Sequence, residues 1–178
     1  MVHAVVPPVG IPCMDLPEGF HVNVKIEKAS IADAEEILRI QKIAFESEGR
    51  LYNNLKIAPL VETLQDVIRD FDTHLVLKAV GERGEIAGSV RASVNEGTCW
   101  VSRLSVSPLY QNLGIGFRLM SEIEKCFPYV SKFELGAGNK SARSIGLYMK
   151  LGYVILGEIK KDNVILLRMG KDTAKGGK

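Results

Sequence analysis

The chain has 178 residues, 46% of them hydrophobic and 25% charged, with a formal net charge of +2. That length suits one domain able to bury roughly 70% of its unfolded surface, and the scattered Lys and Arg exclude a nucleic-acid stripe. Cys13, Cys99 and Cys126, like His3, His21 and His74, lack metal-ligand spacing and no apolar run approaches membrane length, so a reduced, cytoplasmic protein without metal is expected.

Residues 1–20 carry four of the seven prolines, among apolar residues such as Val5, Val6, Ile11 and Phe20. This Pro-rich arm is either a disordered leader or an extended segment that packs on the domain or on a partner subunit. The N-terminus lacks the basic and apolar regions of a signal peptide. A domain over residues 21–170 follows. Val22, Val24 and Ile26 alternate with polar residues and predict a first strand over Val22–Glu27. Ser30, with Asp33 three residues on, caps a helix reaching about Ser47. Glu46–Lys56 reads as a polar loop. Pro59 then opens a second helix with Leu60, Leu64, Val67, Ile68 and Phe71 on its apolar face.

Strands are predicted over His74–Val80, Glu85–Val94 and Thr98–Val106, the first two joined by Gly81-Glu82-Arg83-Gly84. Pro108 ends the third. A helix runs from Gly114 to before Pro128, then a short strand, Lys132–Gly136. The helix Ser141–Leu151 ends at Gly152, and strands Tyr153–Ile159 and Val164–Met169 close the domain. Residues 171–178 read as a flexible polar tail.

The stretch Leu104–Gly116 carries the chemistry. A strand, the loop Gln111-Asn112-Leu113-Gly114-Ile115-Gly116 and a helix with Leu119, Met120 and Ile123 follow in succession. A helix opening on small residues leaves its first N–H groups bare, which makes an anion cradle. No Lys follows Gly116, against a nucleotide P-loop. Leu119 stands where a dinucleotide fingerprint needs its third glycine. Leu104, Val106, Pro108, Gln111, Gly114 and Gly116 instead fill Leu-x-Val-x-Pro-x-x-Gln/Arg-x-x-Gly-x-Gly/Ala, the signature of the Gcn5-related N-acetyltransferase superfamily.

Over Val22–Met169 the chain resembles that superfamily, including in the order of its elements. A second stretch, with Ile145, Leu147, Tyr148, Leu151, Gly152 and Tyr153, is similar to Asn-x-x-Ala-Ile-x-Leu-Tyr-x-x-Leu-Gly-Phe/Tyr. Ser141 stands at the usual Asn position and Asn139 two residues earlier, so either can meet the cofactor.

The resemblance implies an α/β (α+β) domain: a mixed, mainly antiparallel sheet of about seven strands, splayed in the middle, with helices on both faces. It implies transfer of the acetyl group of acetyl-CoA to a primary amine, on a small molecule or a peptide, by direct attack. Leu104, Ser105 and Val106 would pair with the pantetheine arm. Gln111 to Gly116, with Phe117 in the first helical turn, would hold the pyrophosphate. Tyr148 would serve the leaving thiolate, since a phenol with pKa near ~10 can donate to the developing charge.

The general base stays open between Glu134 and a water chain. Glu46, Glu48, Tyr52 and Asn53 occupy the family's acceptor region and are candidate substrate-binding residues. No metal, nucleic acid or membrane partner is implied, and a homodimer is compatible with the resemblance. The alternative is a non-catalytic CoA-binding sensor or assembly module; a nucleotide-binding protein is the weaker rival.

Overall fold

The computed structural model describes residues 23–161 and 163–173. The Pro-rich arm and the end of the tail lie outside the described residues. The first strand, β1 (Lys25–Lys28), is followed by a 3-10 turn at Ile31–Asp33, where the Ser30 N–H donates to Asp33 at 2.8 Å. Helix α1 (Ala34–Leu51) runs a turn beyond the expected Ser47. Arg50 and Glu46, paired at 2.6 Å one turn apart, support that extra turn. Asn53, at φ +48°, ends the path with its N–H on the Arg50 carbonyl.

The single second helix expected from the apolar spacing is two helices, α2 (Ala58–Val61) and α3 (Leu64–Thr73). Glu62 takes an extended ψ of 137° and breaks the run. Thr63 then caps α3, and the Thr63 and Asp66 side chains bond each other's N–H groups. Hydrophobic spacing continues across the break, which is why periodicity alone misses it.

Three strands follow, β2 (Leu75–Val80), β3 (Ile86–Asn95) and β4 (Thr98–Val106), then α4 (Ile115–Lys125), β5 (Lys132–Gly138), α5 (Ala142–Lys150), β6 (Val154–Lys161) and β7 (Val164–Asp172). β7 extends past Gly170, so the first residues assigned to the tail belong to the sheet. The seven strands lie in the order β1-β2-β3-β4-β5-β7-β6, with β4–β5 the parallel pair among antiparallel ones.

Strand alternation separates two cores. On β2, Val76 packs with Ile37, Ile40 and Val67 of α1 and α3, while Leu77 and Ala79 pack with the cluster that contains α4. Ile115, Leu119, Met120 and Ile123 of α4 are all fully buried, and each such side chain stabilises the fold by roughly 1.5–3 kcal/mol.

Two irregularities of β4 shape what lies between the cores. Ser89 pairs with Ser105 and Arg91 with Ser102, so β4 carries one extra residue there. This bulge holds Arg103 in the left-handed region at φ +53°. Pairing of β4 with β5 stops at Trp100–Glu134. Beyond that rung the two strands part, and the far halves of both border one cleft.

Candidate active site

The cleft encloses about 1130 Å³. Val101–Leu104 and Val106 of β4 line it on one side and Gly136–Gly138 of β5 on the other, with the loop before α4 at one end and the ends of α1 and α5 at the other. The parted strands leave β4 backbone groups facing open space, where a ligand carrying amides can pair with them.

The loop end is built as an anion cradle. Gly114 sits at φ +75°, a conformation that glycine adopts without a Cβ penalty, and caps α4 without any side chain. Gln111, Asn112, Gly114, Ile115, Gly116 and Phe117 all line the cleft. A Cβ on Gly116 would lie 3.3 Å from the Leu147 side chain, which would have to give by a few tenths of an ångström, so the glycine eases the approach of α4 to α5. Gln111 fastens the loop: its amide donates to the Val106 carbonyl at 3.1 Å and its oxygen accepts from Arg143. Arg143 adds a cation beside the bare N–H groups. It lies inside the second motif, as the second residue of α5, where the motif's pattern leaves the position free and so gave no signal for it.

At the other end stand Tyr148, Glu48, Tyr52 and Ser141, all bordering the cleft. Tyr148 is buried on α5, and burial first, then the nearby Glu48 carboxylate, raises its hydroxyl pKa well above the usual phenol range. Burial likewise raises the pKa of Glu48, against a hydrogen bond from Ser141 that lowers it. A carboxyl that binds a proton more readily than usual therefore stands near a hydroxyl that releases one less readily. Gly138 makes room for Glu48 and Tyr52: its Cβ would fall 2.5 Å from Glu48 Oε1 and 2.6 Å from the Tyr52 hydroxyl.

The Asn139 and Ser141 alternatives separate in the structure. Tyr52 donates to Asn139 Oδ1 at 2.9 Å and accepts from the Lys140 N–H at 2.8 Å. Asn139 thus ties the end of α1 to the β5–α5 loop, whereas Ser141 borders the cleft and reaches Glu48. Ser105 is buried, with its hydroxyl on the Arg103 carbonyl at 3.1 Å, and Leu113 packs against the main core. Glu46 pairs with Arg50 on the exposed side of α1, and neither it nor Asn53 borders the cleft.

Glu134 does not fit the role of general base. Its side chain is fully buried, gripped by Arg168 at 2.6 and 2.9 Å and by Lys132 at 2.6 Å. The Arg168 hydrogen bonds, outweighing burial and joined by Lys132, hold its carboxyl down to about 2. Two cations on one carboxylate oppose proton uptake, and Glu134 is outside the cleft lining. From sequence Lys132 is visible two residues away on the same strand, but Arg168 is not, because it arrives from β7 across the sheet.

Cys99 is buried and its thiol is pushed up to about 12, mainly by burial, so thiolate chemistry is closed to it. Among the described residues no helix is long and apolar enough to cross a membrane, and no group of three or more His, Cys, Asp or Glu could hold a metal ion.

A strand parted from its neighbour beside an N–H cradle is the arrangement of an acyl-CoA-dependent transferase fold, and the comparisons agree. Residues 34–153 match the acetyltransferase (GNAT) family, and the chain belongs to that family. Its fold is similar to PaiA N-acetyltransferase from Thermoplasma acidophilum in complex with coenzyme A, at 17% identity and TM-score 0.69, covering 85% of this chain and 99% of that one. It is similar also to the ribosomal-protein-S18-alanine N-acetyltransferase of Escherichia coli (15% identity, TM-score 0.72, coverage 87% and 97%). A third similar structure is a phosphinothricin acetyltransferase from Sinorhizobium meliloti in complex with acetyl-CoA (21% identity, TM-score 0.71, coverage 86% and 90%). No curated protein sequence matches the chain at a significant level.

Proposed function

We propose that this protein moves the acetyl group of acetyl-CoA to a primary amine by direct attack, with Glu48 as general base and Tyr148 as the donor to the leaving thiolate. The observation that carries this reading is the common border of the open β4 edge, the α4 cradle and the Glu48–Tyr148 pair on one cleft. The cradle fits a pyrophosphate: bare helix N–H groups, a left-handed Gly114 and the Arg143 guanidinium converge there. The β4 backbone beyond Trp100 suits the amides of a pantetheine arm, in the manner of an added strand.

An amine attacks only when neutral. Glu48 takes the proton, and its raised pKa brings it toward the range where a base works well near neutral pH. The amine nitrogen bonds to the acyl carbon, the carbon–sulfur bond breaks, and Tyr148 donates to the sulfur as it gains charge. A backbone N–H at the Leu104 bulge is the donor proposed for the acyl oxygen, an interaction whose removal typically costs about 2.7–4 kcal/mol.

The amine end is walled by Phe45, Leu51, Ile57, Val164 and Leu166, with Glu48 the carboxylate among them. Such a lining favours an amine with an apolar flank, on a small molecule or a peptide end. Glu48 therefore moves from substrate binding to chemistry, and Tyr52 keeps the acceptor-side role. We place the protein in the cytoplasm as a homodimer, and the chemistry proposed calls for no metal.

The test is a screen of amines for acetyl-CoA-dependent release of free thiol. At least one amine should give release that depends on Glu48 and Tyr148. Tight acetyl-CoA binding with no release for any amine would favour a CoA-binding module instead.

A further inference from the structure

A second set of charged residues lies beneath the acceptor end, outside the machinery described above. Arg91 on β3 is fully buried. Its guanidinium donates to Asp70 of α3 at 2.5 Å, to Gln41 of α1 at 2.8 Å and to Glu62 at 3.2 Å. Glu62 is the residue that breaks the helix between α2 and α3. One of its carboxylate oxygens accepts from Arg91 and from Gln41 at 2.6 Å, and the other from Arg103 at 3.3 Å. Gln41, also fully buried, spends its remaining N–H on the Pro59 carbonyl at 2.9 Å.

These bonds connect two parts of the cleft wall that the sequence leaves far apart. Arg103 is the left-handed residue of the β4 bulge, three residues beyond the last rung that joins β4 to β5. Ile57, Ala58 and Pro59 form the start of α2 and border the cleft near Glu48. A four-residue helix cannot hold itself in place by its own hydrogen bonds. Burying a charged network of this size is costly, the more so as Arg91 Nε is left without a partner, and a hydrophobic filling would stabilise the fold as well. The network's geometric effect is to set how far α2 stands from the bulge.

We propose that Glu62, bridged by Arg91 and Arg103, is a positioning residue that holds α2 as a shelf against which the acceptor amine docks. The inference rests on the acetyl-transfer reading for its substrate. Glu62 does not itself border the cleft, so its effect on the amine passes through the shelf. In the acetyl-transfer reading acetyl-CoA would pair with β4 and the α4 cradle, and Glu62 bonds to no residue of that cradle.

The test uses the full chain with Glu62→Gln and, as a variant safer for folding, Arg103→Met, whose side chain is 27% exposed. Hydrogen exchange is read on the free protein, at the Leu60, Val61 and Glu62 amides that close α2. Those amides should exchange about tenfold faster in both variants, with Gln111–Phe117 unchanged. With the best amine from the thiol-release screen, Glu62→Gln should raise KM about fivefold or more, leaving kcat and the acetyl-CoA Kd within about twofold. Arg103→Met should raise KM in the same direction, and Arg103→Lys should recover much of that loss, because it keeps a cation on Glu62.

Unchanged exchange in α2 overturns the proposal. So does an acetyl-CoA Kd that shifts in step with the amine KM, or a lowered melting temperature with KM unmoved, either of which reduces the network to a stabilising core. Absence of thiol release in the parent protein counts against acetyl transfer itself, and is distinguished by the parent rather than the variants.

Discussion

Trp100 on β4 and Glu134 on β5 form the last paired rung between those two strands. Above it the strands part, the Arg103 bulge follows within three residues, and the cleft begins. The rung is itself reinforced, since Glu134 is clamped by Lys132 and Arg168, and Arg168 lies 5.9 Å from the Trp100 ring. Glu134 is thus part of the structure that holds the closed half of the sheet together while the other half opens.

That assignment predicts a stability effect without a catalytic one. The folded carboxyl of Glu134 is held down to about 2, below its ordinary value of 4.5. A depressed carboxyl contributes stability that is fully present above the unfolded pKa and is lost as pH falls through the folded one. Glu134→Gln should lower the melting temperature at pH 7, and the gap to the parent should close between about pH 4.5 and 2. Calorimetric melts across that range check it; a gap independent of pH would show that the charge is not what matters.

The cradle predicts loss of cofactor binding from one residue. Gly116→Asp would set a Cβ 3.3 Å from Leu147 and a charge of the pyrophosphate's own sign among the N–H groups proposed to hold it. Acetyl-CoA affinity, measured by titration calorimetry, should weaken by about 10- to 100-fold, the worth of one charge-assisted hydrogen bond. Unchanged affinity would remove the pyrophosphate from this loop.

Much of this was legible in the sequence, and the limits have physical causes. Strand alternation, the glycine loop and Gly152 are local signals, and the elements they predict lie within a few residues of the observed ones. The break at Glu62 was missed because Leu60, Leu64 and Val67 keep helical spacing across it, although Thr63 with Asp66 is a capping box. The roles of Glu48 and Glu134 were not legible. Glu48 lies far from both motifs and Glu134 just before the second, and only the fold brings the one beside Tyr148 and the other between two cations. Arg103 could not be read as a bulge residue, because the extra residue is defined by the register against β3.

Gly138 is a position where size alone is tested. An alanine there would press on Glu48 Oε1 and the Tyr52 ring and hydroxyl. Overpacking of this type costs about 1–3 kcal/mol and displaces the flexible partner first. Gly138→Ala should cut kcat about tenfold or more, with a smaller change in acetyl-CoA Kd, as read by steady-state kinetics and calorimetry. Wild-type turnover in that variant would mean the Glu48 position is not critical.

Tyr148→Phe keeps the ring that packs 6.0 Å from Tyr153 and removes the hydroxyl. Turnover should fall by about 10- to 10⁴-fold with little change in acetyl-CoA affinity, the upper end being a full general-acid contribution. Replacing the amine's partner thioester with an activated ester, whose leaving group needs no proton, should recover most of the loss. A variant with normal turnover would leave Tyr148 as a core aromatic.

The most direct measurement is the pH profile of acetyl-CoA-dependent thiol release for the parent, Glu48→Gln and Glu134→Gln, with one amine from the screen. Glu48 acts as a base only when ionised, and its pKa is raised above 4.5, so parent kcat/KM should climb with pH through that raised value. Glu48→Gln should lose the limb and run about 10²-fold slower or worse, while Glu134→Gln keeps both the limb and the rate at temperatures where it is folded. A Glu48→Gln variant with the parent's profile, beside a Glu134→Gln variant that has lost it, would contradict the account.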